Sequence, residues 1–212
     1  MNEKNEDLVN YLVEREFIRS SKVEKAFLDV DRANFVPEEL KNYSYTDRPL
    51  GIGEGQTISA PHMVAMQTEF LLLEKDSKVL EVGTGSGYQA AILSRVVEEG
   101  EVHTIELIKE LHEKSSEKLC EYPNVFTYLG DGSRGLPSKA PFNRIVSTGG
   151  VPEVPASWVS QLSKEGVIVA PVGEKYHQRL KRYRRTGFGI DEEDLNVPCI
   201  FVPIIGKDAF SD

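Results

Sequence analysis

Three short stretches of the chain combine residue types that could bind and orient a small charged ligand. The first is Glu81-Val82-Gly83-Thr84-Gly85-Ser86-Gly87, which ends an apolar run and opens a helical one. Its glycines let the backbone turn tightly and let a ligand approach the chain. The spacing is G-x-G-x-G, not the G-x-G-x-x-G of dinucleotide binding. Glu81 just before the loop would repel a pyrophosphate but could take an ammonium group, directly or through water. The second stretch is Thr104-Ile105-Glu106, whose carboxylate at a strand tip could accept both hydroxyls of a ribose. The third is Gly130-Asp131-Gly132, where Asp131 could bind the exocyclic amine of adenine. Singly, each acid reads equally well as a helix cap or turn residue. Together they fall at three successive strand ends, on the side where open α/β sheets bind ligands.

A fourth stretch, Gly53-Glu54-Gly55-Gln56-Thr57-Ile58-Ser59-Ala60-Pro61-His62-Met63, is not needed by such a ligand site. Pro61 fits the first position of a helix running through Met66, Phe70 and Leu73, which places Ser59 at the N-cap or one residue before it. The unpaired N–H groups of a helix start could seat a carboxylate, with the Ser59 hydroxyl as a further donor. The plainer alternative is that Ser59 only caps the helix and His62 packs beneath it.

The elements that must position these residues follow from periodicity. Lys78–Val82, Glu101–Glu106, Asn124–Leu129, Arg144–Ser147 and Gly166–Pro171 read as strands, with helices at Gln89–Glu98, Lys109–Glu121 and Ala156–Leu162 between them. This alternation predicts an α/β fold, a mostly parallel sheet with helices on both faces. Upstream, Leu8, Leu12 and Val13 share a helical face with Phe17 near its end. Ser21-Lys22-Val23-Glu24 has the form of a capping box opening a second helix, and Pro37–Leu40 resembles a helical turn. Downstream, Arg179–Thr186 and Asn196–Ile205 read as an antiparallel pair of strands. The chain thus divides into an N-terminal helical extension (1–75), a ligand-binding core (76–175) and a C-terminal strand pair (176–212) within a single domain.

Bulk properties narrow the function. The 212 residues are 40% apolar and 28% charged, which suits one soluble domain. The formal net charge of −9 argues against a nucleic-acid substrate. The one basic run, Lys181-Arg182-Tyr183-Arg184-Arg185, reads first as a solvated strand and second as a lure for anionic proteins. No apolar run is long enough to cross a bilayer, and the acidic start lacks the pattern of a signal peptide. Cys120 and Cys199 have no metal-type spacing. A cytoplasmic monomer without a metal or membrane partner is expected.

The glycine loop with Glu106 and Asp131 resembles the class I S-adenosylmethionine-dependent methyltransferases. Gly55–Met63, Arg48-Pro49-Leu50, Gly83–Ala91, Gly130–Gly132 and Phe201-Val202-Pro203-Ile204 further resemble the protein-L-isoaspartate O-methyltransferases, over about residues 8–206. The resemblance implies S-adenosyl-L-methionine as cofactor and isoaspartyl proteins and peptides as partners. It implies that Ser59 is the active-site residue, that Gly83, Thr84, Gly85, Ser86 and Gly87 hold the amino-acid end of the cofactor, and that Glu106 holds the ribose and Asp131 the adenine. Thr57, Ile58, His62, Glu81, Leu107 and Gly132 are expected to complete the cofactor site, and Ala60, Pro61, Thr148 and Gly149 to border the acceptor. A carboxylate is already ionised at neutral pH, so direct displacement needs no general base, and none is assigned to His62. One departure stands out. After the fourth core strand the chain reads Ser147-Thr148-Gly149-Gly150-Val151-Pro152, where the family has an alanine run, and Asn143 stands where aspartate is usual. The glycine pair is expected to loosen the backbone and enlarge the site, which keeps open a different protein or small-molecule acceptor. The Asn/Asp-Pro-Pro-aromatic motif of base-methylating enzymes is missing.

Overall fold

In the computed structural model, residues 2–211 are described. Five parallel strands make up one side of a seven-stranded sheet, out to its edge. Ahead of it, α1 (Glu3–Glu14), α2 (Ser21–Asp29), a two-stranded ribbon of β1 (Leu50–Gly53) and β2 (Gln56–Ile58), and α3 (Pro61–Phe70) build the N-terminal extension. The sheet then follows as β3 (Lys78–Val82), α4 (Tyr88–Val96), β4 (Glu101–Glu106), α5 (Lys109–Leu119), β5 (Val125–Leu129), β6 (Phe142–Ser147), α6 (Ala156–Gln161), β7 (Leu162–Glu174), β8 (His177–Thr186) and β9 (Gly189–Cys199). The strand order is β5-β4-β3-β6-β7-β8-β9, with β8 antiparallel to both its neighbours. The order reverses between β3 and β6, the switch point at which such sheets open a crevice.

Strands buried on both faces must be apolar almost throughout. β3 meets this with Val79, Leu80 and Val82, Glu81 being its one buried charge-bearing residue. Val79 packs into a cluster with Phe27, Leu93 and Leu119 from α2, α4 and α5, whereas Leu80 and Val82 join Ile145 and the fully buried Trp158 of α6 on the other side. The N-terminal extension therefore packs on the same sheet face as α4 and α5.

Several local expectations need correction. In α1 the buried face is Leu8, Val9 and Leu12, while Val13 turns outward. The capping box at Ser21 does not form: the N-cap is Ser20. Its N–H and hydroxyl, and the Arg19 N–H, all donate to Glu69 Oε1 on α3, so a distant carboxylate takes the role expected of Glu24. Pro37 precedes its helical turn as the N-cap. β7 is longer than expected. β9 starts at Gly189 and ends at Cys199, so the acidic Asp191–Asp194 lies within a strand rather than in a link, and beyond Cys199 the chain forms no further strand among the described residues, Pro203 making an isolated bridge to Gly150.

Candidate active site

The glycine turn between β3 and α4 is built by close approach. Gly83 has φ +93°, and a Cβ there would lie 2.5 Å from Thr148 Oγ1. The Thr148 hydroxyl donates to the carbonyls of Val82 and Gly83, which ties the end of β6 to the turn. Glu106, at the tip of β4, closes the opposite side. Its Oε2 accepts from the Gly85 N–H at 2.8 Å, and its Oε1 accepts from Leu107 and Ile108 at 2.9 and 3.0 Å. Backbone donors thus fix the carboxylate while its remaining lone pairs face the cleft. That cleft encloses about 850 Å³, its open mouth included. Its walls hold Thr57, Ile58, Ser59, Gly83–Ser86, Glu106, Leu107, Gly132, Thr148 and Gly149 together with Val202 and Ile204.

Four of the expected cofactor residues do not reach these walls. Glu81 lies beneath them, fully buried, with Oε2 accepting from Thr104 Oγ1 at 2.5 Å and Oε1 unpartnered among the described residues. Burial pushes its carboxyl up to about 8, against a lowering hydrogen bond from Thr104, and nearby Glu106 adds to the rise. Asp131 stands behind Gly132. Burial pulls its carboxyl upward, but donors from the Lys207 N–H and from the N–H and hydroxyl of Ser133 outweigh this and hold it below the ordinary range. His62 faces a different cavity. Gly87 starts α4 from a left-handed φ of +88°, with Leu119 against it, and is also off the walls.

The second cavity encloses about 1050 Å³ by the same measure. It is bordered by Pro49, Ala60, His62 and Met63 on the α3 side and by Tyr176, Gln178, Cys199, Ile200 and Phe201 on the β8–β9 side. Thr57, Ser59, Thr148 and Val202 line both cavities. Ser59 is half-buried and immediately precedes the N-cap, Ala60, with Pro61 first in α3. Its hydroxyl finds no hydrogen-bond partner among the described residues, so it does not cap the helix.

The start of α3 is not an open seat for an anion, contrary to expectation. Pro61 has no N–H, the Met63 N–H goes to the Ala60 carbonyl, and the His62 N–H goes to Asp47 Oδ1 at 3.0 Å. Asp47 Oδ1 also bonds His62 Nδ1 at 2.8 Å, and the His62 ring packs on Phe17 with centroids 5.3 Å apart. Burial raises the Asp47 carboxyl, but the His62 hydrogen bonds and the charges of His62 and Arg32 prevail and lower it overall. The donors left free are one turn earlier: no described residue accepts from the N–H of Ser59 or of Ala60.

Gly149 and Gly150 also behave differently from the expectation of slack. A Cβ on Gly149 would lie 2.5 Å from Ile204 Cδ1 and 3.0 Å from the Val202 carbonyl oxygen. One on Gly150 would lie 2.4 Å from the Gln178 amide. The pair is packed tightly under the C-terminal segment, with Gly150 N–H donating to Val202 and Ile204 N–H donating to Gly150, both at 2.8 Å. The absent methyl groups make room for protein, not for ligand. Asn143 accepts from the Lys78 N–H at 2.8 Å and joins β6 to β3. Half of the basic run is paired across the sheet: Lys181 pairs with Glu192 and Arg182 with Glu193, at 2.6 and 2.5 Å, whereas Arg185 donates to the Val159 carbonyl and Arg184 is exposed.

Val202, Gln178, Tyr176, Asp47 and Arg32 belong to the site's surroundings and carry no residue-type signal for it. Phe201–Ile204 is noticeable only through the resemblance.

A doubly wound sheet with a glycine turn, a carboxylate at the tip of the next strand and a cleft over the switch point defines a class I methyltransferase. The profile of the protein-L-isoaspartate(D-aspartate) O-methyltransferase family matches residues 2–209. The chain belongs to that family. It is 46% identical over 211 residues to the protein-L-isoaspartate O-methyltransferase of Hyperthermus butylicus, covering 94% of this chain and 88% of that one. The relative from Methanococcus maripaludis is 46% identical over 206 residues, with 96% of each chain covered. Among solved structures, a Plasmodium falciparum protein described as a putative enzyme of the same kind, in complex with S-adenosyl-L-homocysteine, superposes with a TM-score of 0.84 at 26% identity, covering 95% of this chain and 98% of that one.

Proposed function

We propose that the two joined cavities hold the two reactants of a methyl transfer from S-adenosylmethionine to the α-carboxylate of an L-isoaspartyl residue. The observation that carries this reading is the position of Ser59 and Thr148 on both cavities at once. S-adenosylmethionine, when bound, supplies an electrophilic sulfonium methyl group. The fit is chemical: glycines at 83 and 85 leave the backbone of the turn open to a ligand, and Glu106 offers acceptors already aligned by backbone donors. Glu81 and Asp131 support the site from behind its walls, Glu81 under the turn and Asp131 by ordering Gly132–Ser133 and the Lys207 segment.

A carboxylate oxygen forms the new bond to the methyl carbon as the carbon–sulfur bond breaks, leaving a methyl ester and a neutral thioether. Opposite charges cancel along this path, so no proton moves and a drier, low-dielectric cavity favours it. The work of the chain is to orient and to exclude water. The Ser59 hydroxyl, unclaimed by any described residue, holds one carboxylate oxygen. His62 is fixed by Asp47 and shapes the wall. Leu107, Ile58, Thr57 and Gly149 border the donor, while Ala60 and Thr148 frame the acceptor; Pro61, expected beside them, is on neither wall and serves as the first residue of α3. The methyl ester has a better leaving group than the free carboxylate, so the next backbone amide nitrogen attacks the ester carbonyl, loses its proton and expels methanol; the resulting succinimide is hydrolysed in part to aspartate.

We propose further that the protein acts as a monomer in the cytoplasm on protein substrates rather than nucleic acid. The net charge of −9 and the pairing of Lys181 and Arg182 with glutamates support the last point. Among the described residues no helix is long and apolar enough to cross a membrane. The test is methyl transfer to a matched pair of peptides, one isoaspartyl and one aspartyl. Transfer to the first alone is the expected result; equal transfer to both, or to neither, refutes the acceptor assignment.

A further inference from the structure

Arg32 is the only arginine among the described residues whose side chain is completely enclosed, and no carboxylate forms an ion pair with it. Burying a guanidinium costs free energy unless its donors are met. Here the partners are three backbone carbonyls. Nη1 donates to Ser44 at 2.6 Å, and Nη2 donates to Arg48 at 3.2 Å and to Ser59 at 3.0 Å. Its carbon sits 6.0 Å from the centre of the buried Tyr88 ring. Nε has no partner among the described residues, so the group is held in place by what it does for those three carbonyls.

The Ser59 carbonyl belongs to the peptide unit that ends in the Ala60 N–H. In a trans peptide the two groups point in opposite directions. A cation drawing on the carbonyl therefore turns the N–H away from itself and makes it a stronger donor. Ala60 is buried against the second cavity, and no described residue accepts from its N–H.

We infer that Arg32 is a positioning residue for the methyl transfer: it clamps and polarises the Ser59–Ala60 peptide so that the Ala60 N–H, beside the Ser59 hydroxyl, receives the acceptor carboxylate. Arg32 never touches substrate. Its charge, one peptide behind the donor, favours an anionic acceptor over a neutral one of the same shape.

The discriminating quantity is a ratio. On the enzyme saturated with S-adenosylhomocysteine, the Kd of an isoaspartyl peptide is compared with that of its α-carboxamide analogue. Arg32→Lys keeps the charge but lacks the planar fork that reaches the three carbonyls from two separate nitrogens, and Arg32→Met removes the charge. Ala60→Pro deletes the N–H itself, and the native φ of −58° already suits proline. The preference for carboxylate is expected to fall about ten-fold in Arg32→Met and Ala60→Pro. An intermediate fall is expected in Arg32→Lys, with affinity for S-adenosylhomocysteine within about two-fold of wild type throughout. A purely structural arginine would weaken both peptides alike and leave the ratio alone. A wild-type ratio in any folded variant overturns the inference. Should the Arg32 variants not fold, Ala60→Pro decides it, since it removes the donor that Arg32 is held to orient.

Discussion

Glu81→Gln isolates the energetic cost of the buried carboxyl beneath the cofactor cleft. The ordinary value of this group is 4.5, and burial lifts it to about 8 in the fold. A folded value above the unfolded one means that the native state keeps a proton the unfolded chain has lost. Stability is then full below pH 4.5 and declines as the pH rises toward 8. Between those limits the loss is about 1.4 kcal/mol per pH unit, or about 3 kcal/mol by pH 7. Glutamine has nearly the same shape, stays neutral and can still bond Thr104, so it removes this slope without opening a cavity. Urea unfolding of both proteins, free of cofactor, at intervals from pH 5 to pH 8 gives the difference directly. The variant is expected to gain on wild type steadily with pH. A difference that stays flat across the interval would mean that Glu81 ionises freely in the fold, and the burial argument would be wrong.

Ser59→Ala removes a hydroxyl that no described residue uses, so stability should hardly change. Turnover on an isoaspartyl peptide should fall roughly 10- to 100-fold, the usual worth of a hydrogen bond to a charged group, while affinity for S-adenosylhomocysteine stays within about two-fold in calorimetry. Unimpaired turnover would remove Ser59 from the mechanism. Gly150→Ala drives a Cβ into the Gln178 amide, which is 2% exposed and accepts from the Phe201 N–H at 2.7 Å. Thermal unfolding should show a loss of about 1–3 kcal/mol, as for overpacked cores; no loss would mean that the glycine pair is slack after all. Replacing Lys181 and Arg182 together by glutamine breaks two partly exposed ion pairs, each worth under about 1 kcal/mol. The KM for an anionic isoaspartyl peptide should keep the same salt dependence, and a marked change would restore the run as a substrate lure.

Legibility in the sequence followed burial. β3, β6 and β7 could be placed because strands in the middle of the sheet carry buried apolar runs, and the glycine turn because its left-handed residues leave few alternatives to glycine. Ser59 and Pro61 were locatable for a similar local reason. Partners far apart in sequence decided the remainder. Asp191–Asp194 looks like a link until β8 supplies Lys181 and Arg182 opposite it, after which the charges mark an exposed edge strand. Ser20 displaced Ser21 as the cap because Glu69, 49 residues away, could reach it. Glycine 149 and 150 suggested freedom because nothing nearby in sequence announces Ile204 and Gln178.

The same distinction governs how the proposed reaction centre is held. Its four shared wall residues come from three separate segments: Thr57 and Ser59 before α3, Thr148 after β6, and Val202 near the C-terminus. No single segment can set their spacing, and backbone contacts between the segments do so. Gln67 of α3 is fully buried and donates to the Ser147 carbonyl at 2.8 Å, one residue before Thr148. Gly150 exchanges hydrogen bonds with Val202 and Ile204. Arg32 holds the Ser59 carbonyl. The junction of the two cavities is thus braced by buried polar groups whose alternatives in a dry interior are costly. Polar groups that contribute little as isolated surface contacts here fix where the Ser59 segment stands relative to the glycine turn.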